Sequence, residues 1–252
     1  MSTANRARRA VMRSAERHGF SDQMKRLRGL TNAGLRRDLR DHEVMKLVLA
    51  VHLRADSHTI DVGAHEGSVL RELVRLAPAG RHIGFEPLPA MRTKLEAEFE
   101  PLPNVQIRGT ALSDGHGQAT FHHVTTAPGY SGLKRREMPA GEQVETITVA
   151  TERLDDVLPE AFVPGFIKID VEGAEMLVLR GGAETIARHR PTIVFEHGAG
   201  GFEHYGYQPG DLHDLLVGDF GLRIFDLAGV GPYSRDRFEQ VFNEPIWNFV
   251  AC

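Results

Sequence analysis

The sequence predicts a doubly wound α/β fold, an open and largely parallel sheet with helices on both faces. Three observations predict it. From residue 58 onward, short apolar runs of strand length alternate with stretches of helical periodicity. The first of these is a strand, a glycine turn and a helix: His58-Thr59-Ile60-Asp61-Val62, then Gly63-Ala64-His65-Glu66-Gly67, then Ser68 to Leu76. Acids recur where strands end, at Glu86, Asp170 and Glu196, and ligands of such sheets sit outside the carboxyl ends of the strands.

The chain has 252 residues, 41% of them hydrophobic, enough for one large α/β domain with an appendage. No apolar run reaches membrane-spanning length and no secretory segment is evident, so a cytoplasmic setting is expected. Cys252 is the only cysteine, which rules out a disulfide within one chain. Residues 1–40 hold eleven Lys and Arg against three acids, net +8; with −4 for the whole chain, the remainder carries −12. This basic arm reads as a solvated helical surface, as an attractor for a phosphorylated or anionic-surface-bound acceptor, or as an organellar transit segment. Nucleic acid is not an expected partner, because no zinc-ligand or aromatic-rich RNA motif accompanies the charge. The oligomeric state is left open, a homodimer being compatible with the chain.

Residues 1–55 predict a helical appendage or lid, with helices over 7–17, 22–30 and 35–53, the last striped by Val44, Leu47, Val48 and Val51. Residues 56–252 predict the ligand-binding domain. At its start, Val69, Leu70, Leu73, Val74 and Leu76 give the first helix its apolar face, and Gly63 and Gly67 open a space at its N-terminus. A dinucleotide fingerprint needs G-x-G-x-x-G, yet Asp61 and Glu66 occupy two of those glycine positions. A carboxylate at that mouth suits a cationic ligand, and S-adenosylmethionine carries both a sulfonium and an amino group. An ordinary strand-to-helix turn is the plain alternative.

Arg81 to Glu86 reads as a second strand, stopped by Pro87. Glu86 lies about twenty residues past the glycine turn, where an acid takes ribose hydroxyls, for S-adenosylmethionine and NAD alike. A helix over 88–99 and a strand from Asn104 lead to Gly109-Thr110-Ala111-Leu112-Ser113-Asp114. Residues 118–124 and 145–149 look like paired strands around a long polar insertion, Ala127 to Arg136, which reads as a binding loop or simply a loose one. A short helix begins near Thr151. Phe166 to Ile169 is a strand whose tip carries Asp170 and Glu172, and Glu175 opens a helix that breaks at Gly181-Gly182. Three acids within six residues demand something positive nearby: a sulfonium, a metal or a lysine. After a helix over 182–189, Thr192 to Glu196 is a strand ending in an acid and His197. A glycine-rich loop with Tyr205 and Tyr207, a helix over 209–217, and strands over 222–227 and 246–251 finish the chain. The final two strands predict an antiparallel hairpin at the sheet edge.

Taken together, the blocks Asp61-Val62-Gly63-Ala64-His65-Glu66-Gly67, Gly84-Phe85-Glu86-Pro87, Ala111-Leu112-Ser113-Asp114, Ile167 to Glu175 with Val178-Leu179-Arg180-Gly181, and Arg190 to Glu196 resemble the FkbM family of S-adenosylmethionine-dependent methyltransferases. The resemblance covers about residues 56–200. It implies the class I methyltransferase sheet, Rossmann-like, of about seven strands, parallel except the last. It implies Asp61, Gly63, Ala64 and Gly67 around the methionine part of the donor, Glu86 and Pro87 at the ribose, Ala111 and Leu112 against the adenine, and Asp170 beside the donor. Many relatives in the wider superfamily carry an acid just before that alanine. Thr110 stands there instead, leaving the adenine amino group to Asp114 or a backbone carbonyl. The family mostly methylates hydroxyls of sugars, glycans and natural products, so O-methylation is expected ahead of N-methylation.

Methyl transfer needs the acceptor oxygen held about 3–3.5 Å from the methyl carbon and a base for its proton. His197 is the first candidate base, with Glu172 and Glu196 as competitors; Glu172 has a second reading, as a cap for the following helix. A Mg²⁺ ion held by Asp170, Glu172, Glu196 and His197 is a less favoured variant. Two other classes compete: an NAD-using oxidoreductase or epimerase, disfavoured by the missing glycines, and a non-catalytic nucleoside-binding scaffold.

Overall fold

The structure is a computed structural model that describes residues 33–136 and 141–252, with side chains of the first helix described from Arg40 onward. Residues 48–252 form one compact unit, separate from the residues before it. The helices expected over 7–17 and 22–30 lie outside the described residues. Helix α1 runs Ala33–His52. Its buried residues are Met45 and Leu49, whereas Leu47 and Val51 of the expected stripe are 66% and 80% exposed. The apolar positions 44, 45, 47, 48, 49 and 51 spread over about 200° of the helix circumference, wider than one buried face, so periodicity alone could not choose among them.

Seven strands form the main sheet: β1 His58–Val62, β2 His82–Phe85, β3 Val105–Arg108, β7 Pro164–Ile169, β8 Thr192–Glu196, β9 Ile224–Asp226 and β10 Asn248–Ala251. They lie in the order β3-β2-β1-β7-β8-β10-β9. β1 pairs in parallel with β2 on one side and β7 on the other, and β7 pairs in parallel with β8. β10 is antiparallel to both its neighbours, β8 and β9. The expected sheet, parallel except for its last strand, is the one observed.

The strands are doubly buried, as parallel strands covered by helices must be. Ile60, Val62, Ile167, Ile169, Ile193 and Phe195 have essentially no exposure and pack in one core. Helices α2 Ser68–Leu76 and α3 Pro89–Phe99 follow β1 and β2. The short α4 Leu154–Val157 precedes β7, which α5 Glu175–Gly181 and α6 Ala183–His189 follow. α7 Pro209–His213 continues into a π-helical turn, Asp214–Asp219, in place of the single regular helix expected. α8 Arg235–Val241 separates β9 from β10, so these two strands pair antiparallel without forming a tight hairpin, and β9, not β10, takes the edge.

A second sheet of three strands stands beside the first, with β4 Ala111–Leu112 and the long β5 Gly117–Val124 on either side of β6 Val144–Glu152. β5 and β6 pair antiparallel along their whole length, as the sequence predicted.

The β1 turn is built against the β7 turn. Gly63 has a φ of 80°, and a Cβ there would collide with the carbonyl oxygen of Asp170. Its N–H and that of Ala64 both donate to the Phe85 carbonyl at 3.0 Å, so the turn is tied to β2 as well. Gly63→Ala is therefore expected to lose stability by more than about 1 kcal/mol in chemical denaturation, because it adds both a left-handed strain and a backbone clash. An unchanged midpoint would show that the two turns are not in contact.

Candidate active site

The parallel sheet brings the ends of β1, β2, β7 and β8 side by side, and with them Asp61, Glu86, Asp170 and Glu196. Asp61 sits one residue before the end of β1 and is 1% exposed. One of its carboxylate oxygens, Oδ2, is buried and has no hydrogen-bond partner. Burial pushes its pKa up to about 6, against the pull of Lys168. An orphaned anionic oxygen beside the glycine turn fits the amino group of a methionine moiety. Gly67, φ 79°, closes the turn with its N–H on the Ala64 carbonyl at 2.7 Å and caps α2.

Glu86 is 4% exposed, and each of its oxygens already accepts one backbone N–H: Oε1 from Leu88 at 2.8 Å and Oε2 from His65 at 2.7 Å. Burial raises its pKa, and those two N–H groups resist the rise. A carboxylate has about four acceptor sites, so each oxygen retains one for a ribose hydroxyl. Pro87 is half-buried in the turn between Glu86 and α3. Ala111 and Leu112 are buried on β4, where they pair with Thr151 and Glu152, while Asp114 is exposed. The acid missing at Thr110 arrives from elsewhere. Thr110 donates its hydroxyl to Glu152 Oε2 at 2.6 Å, and Arg108 holds both oxygens of the same carboxylate. No spacing in the sequence connects residues 110 and 152; only the parallel β4–β6 pairing does.

Between these acids lies Lys168, paired in register with Asp61 and 5% exposed. Its Nζ is 2.9 Å from Asp170 Oδ2. Burial alone would strip its proton, but Asp170 and Asp61 outweigh that and hold it charged. Asp170 stays ionised for the converse reason: burial raises its pKa, yet Lys168 and a hydrogen bond from Glu196 bring it below the ordinary carboxylate range. Glu196 is pushed well above that range by burial and by the Asp170 charge, so it carries the proton of the pair. The Asp170 side chain remains 40% exposed and is the open, charged end of this chain of contacts.

Glu172 has a φ of 59° and is ion-paired to Arg136, a residue of the long loop after β5. Arg136 also donates from Nε to the Gly200 carbonyl at 2.7 Å. Helix α5 has Ala174 as its N-cap and no side-chain cap, so Glu172 does not cap it; the carboxylate that orders the turn before the helix is that of Glu175. Its Oε1 accepts the N–H groups of Val171 and Gly173 at 3.1 and 3.2 Å, and burial pushes its pKa up to about 7. A Cβ on Gly173 would strike the Gly201 backbone, so the β7 turn and the glycine-rich loop are in direct contact. Tyr130 is 54% exposed beneath the Arg136 guanidinium, and Tyr207 is taken up by Arg180, whose guanidinium lies 4.6 Å from its ring.

Asp170, Glu172 and Glu196 converge, with one oxygen from each within 4.8 Å of the others. Lys168 pairs with Asp170 and Arg136 with Glu172, so two of the three carboxylates already have a cation beside them. His197 does not join the group. Its neighbour Glu196 ends β8, and alternation turns the next side chain away. Its ring is 1% exposed, stacked on Phe238 at 5.1 Å, with Phe202 at 4.5 Å and Phe242 at 5.0 Å. Both ring nitrogens lack partners, and desolvation lowers its pKa to about 3. This departs from the sequence expectation of a base or metal ligand: the structure places His197 in the aromatic core, away from the acid rim and outside the group of residues that could hold a metal.

A family model described as the Methyltransferase FkbM domain matches residues 61–223. The chain is 28% identical over 173 residues to the 2-O-methyltransferase NoeI of Sinorhizobium fredii, a match spanning 62% of this chain and 70% of that protein. It is 29% identical over 147 residues to Methyltransferase 1 of Beauveria bassiana, spanning 50% of this chain and 58% of that protein. Among solved structures, Methyltransferase FkbM from Methylobacillus flagellatus superposes with a TM-score of 0.51 at 16% identity, over 79% of this chain and 45% of that one. That likeness is one of fold.

Replacing His197 by Phe tests its placement. The folded protein keeps this ring neutral while the unfolded chain protonates it, so its contribution is lost as pH falls from about 6.5 toward 3. His197→Phe is expected to raise stability, by about 1 kcal/mol more at pH 5.5 than at pH 7.5, with turnover retained. A variant that folds and binds donor but has lost turnover would return His197 to the site.

Proposed function

The chain belongs to the FkbM methyltransferase family, and on that footing we propose that it methylates a hydroxyl oxygen of a sugar, glycan or natural product. The S-adenosylmethionine donor supplies an electrophilic methyl on a cationic sulfur. The observation that carries the reading is the rim itself: an orphaned Asp61 oxygen and an ionised, half-open Asp170 on either side of the buried Lys168. The Asp61 oxygen receives the donor's amino group, and Glu86 its ribose hydroxyls. Ala111 and Leu112 offer an apolar wall to the adenine. The Asp170 charge favours a cationic sulfonium nearby and stabilises positive charge that develops beside it during transfer. The name of the Sinorhizobium relative supports oxygen as the acceptor atom.

Chemistry without Mg²⁺ is the favoured reading, supported by the pairing of Lys168 with Asp170 and of Arg136 with Glu172. No helix among the described residues is long and apolar enough to cross a membrane.

Calorimetry with S-adenosylhomocysteine and with NAD should show binding of the first alone. A labelled methyl donor incubated with a glycan extract should yield an alkali-stable methyl ether. Glu86→Ala is expected to weaken S-adenosylhomocysteine binding by about 1–2 kcal/mol, the scale of a lost hydrogen bond to a charged group. Asp170→Asn should cut turnover by roughly 100-fold or more. Unaltered affinity in the first variant or unaltered turnover in the second would remove that residue from the site.

A further inference from the structure

His65 stands in the middle of the β1 turn, and the reading above gives its side chain no task. Its φ is 48°, in the left-handed region where a residue with a Cβ is uncommon. Among the described residues, the other non-glycine residues there are Glu172 and Arg190. Arg190 ends a helix, a routine place for such a conformation. His65 and Glu172 instead stand on the turns after β1 and β7, at the acid rim. A left-handed residue costs roughly 1–2 kcal/mol, and strain of this kind persists where surrounding contacts impose it. Here the His65 N–H is held at 2.7 Å by Glu86 Oε2, and the Gly63 backbone two residues earlier abuts Asp170.

The conformation delivers an imidazole. The residue is only partly exposed, and its Nε2 is buried without a hydrogen-bond partner. A polar nitrogen in that state costs about 1–3 kcal/mol unless a ligand completes it. A positive charge on this ring would be felt by Glu86, just past β2, and by Asp170, just past β7. Asp170 is itself poorly suited to accept a proton, since Lys168 and Glu196 both hydrogen-bond its ionised form. It is well suited to stabilise a cation beside it.

We propose that His65 is the general base of methyl transfer, its Nε2 taking the acceptor's hydroxyl proton while Asp170 stabilises the imidazolium that results. The assignment rests on the O-methylation reading. As the oxygen–carbon bond forms, the carbon–sulfur bond breaks and its electron pair stays on sulfur, leaving a neutral thioether. The hydroxyl proton ends on Nε2 and passes to water when products leave. The ring must present the tautomer whose proton is on Nδ1.

Glycine adopts a left-handed φ without strain, so His65→Gly removes the ring and keeps the turn. Its turnover is expected to fall roughly 100-fold or more, with S-adenosylhomocysteine affinity within about threefold of wild type. Added imidazole should restore part of the lost turnover, a rescue that a merely structural role would not give. His65→Asn, which also tolerates this backbone, should be equally impaired. Turnover near wild type in either variant, a loss matched by weaker donor binding, or no response to imidazole would overturn the assignment. If wild type methylates a hydroxyl and His65→Gly does so equally well, His65 alone is refuted. If wild type methylates no hydroxyl at all, the O-methylation reading falls with it.

Discussion

The charge of Lys168 is the constraint on which the rest of this site depends. Asp61, Asp170 and Glu196 are brought together by three adjacent parallel strands, and parallel strands cannot splay apart without losing their ladder. Burying acids side by side is costly, and proteins meet that cost by pairing, by protonation or by both. Both are used here. Lys168 projects from the middle strand of the three, and Glu196 retains a proton that it shares with Asp170. The outcome is one carboxylate, that of Asp170, which is charged and open toward the ligand side. Removing the lysine would leave buried acids uncompensated, a more severe change than losing any single acid.

Around this charge the loops are locked to one another by close backbone contacts. Gly63 presses on the Asp170 carbonyl, Gly173 on the Gly201 backbone, and Arg136 bridges Glu172 and the Gly200 carbonyl. The glycines of the sequence motif are explained first by these approaches and only second by room for a ligand. Preorganisation is the benefit: a methyl acceptor meets dipoles and charges that need no rearrangement.

What could be read in advance follows from locality. The alternation of strand and helix, the two glycines of the β1 turn and the acids at strand ends are properties of short segments, and they gave the sheet and its functional edge. His197 was misjudged because an acid and a histidine at a strand tip look alike in sequence, while the cage that encloses the ring comes from Phe202, Phe238 and Phe242, dispersed over forty residues. Glu152 was missed because its meeting with Thr110 is made by strand pairing. The α1 stripe failed because apolar residues spread over more than half of a helix specify no single face. His65 lay in plain view inside the glycine motif, but its left-handed backbone, the feature that singles it out, has no signature in a residue type that rarely adopts it.

The position of β10 has a consequence for how the molecule comes together. This strand, at residues 248–251, lies between β8 and β9, so the edge strand β9 reaches the rest of the sheet only through it. During synthesis β9 leaves the ribosome more than twenty residues before its sole neighbour exists. The parallel half of the sheet, with every acid of the rim, can assemble while this edge is still open. Closing it is a late, long-range step, set by the entropy of bringing residues some fifty positions apart in the chain into register with β8.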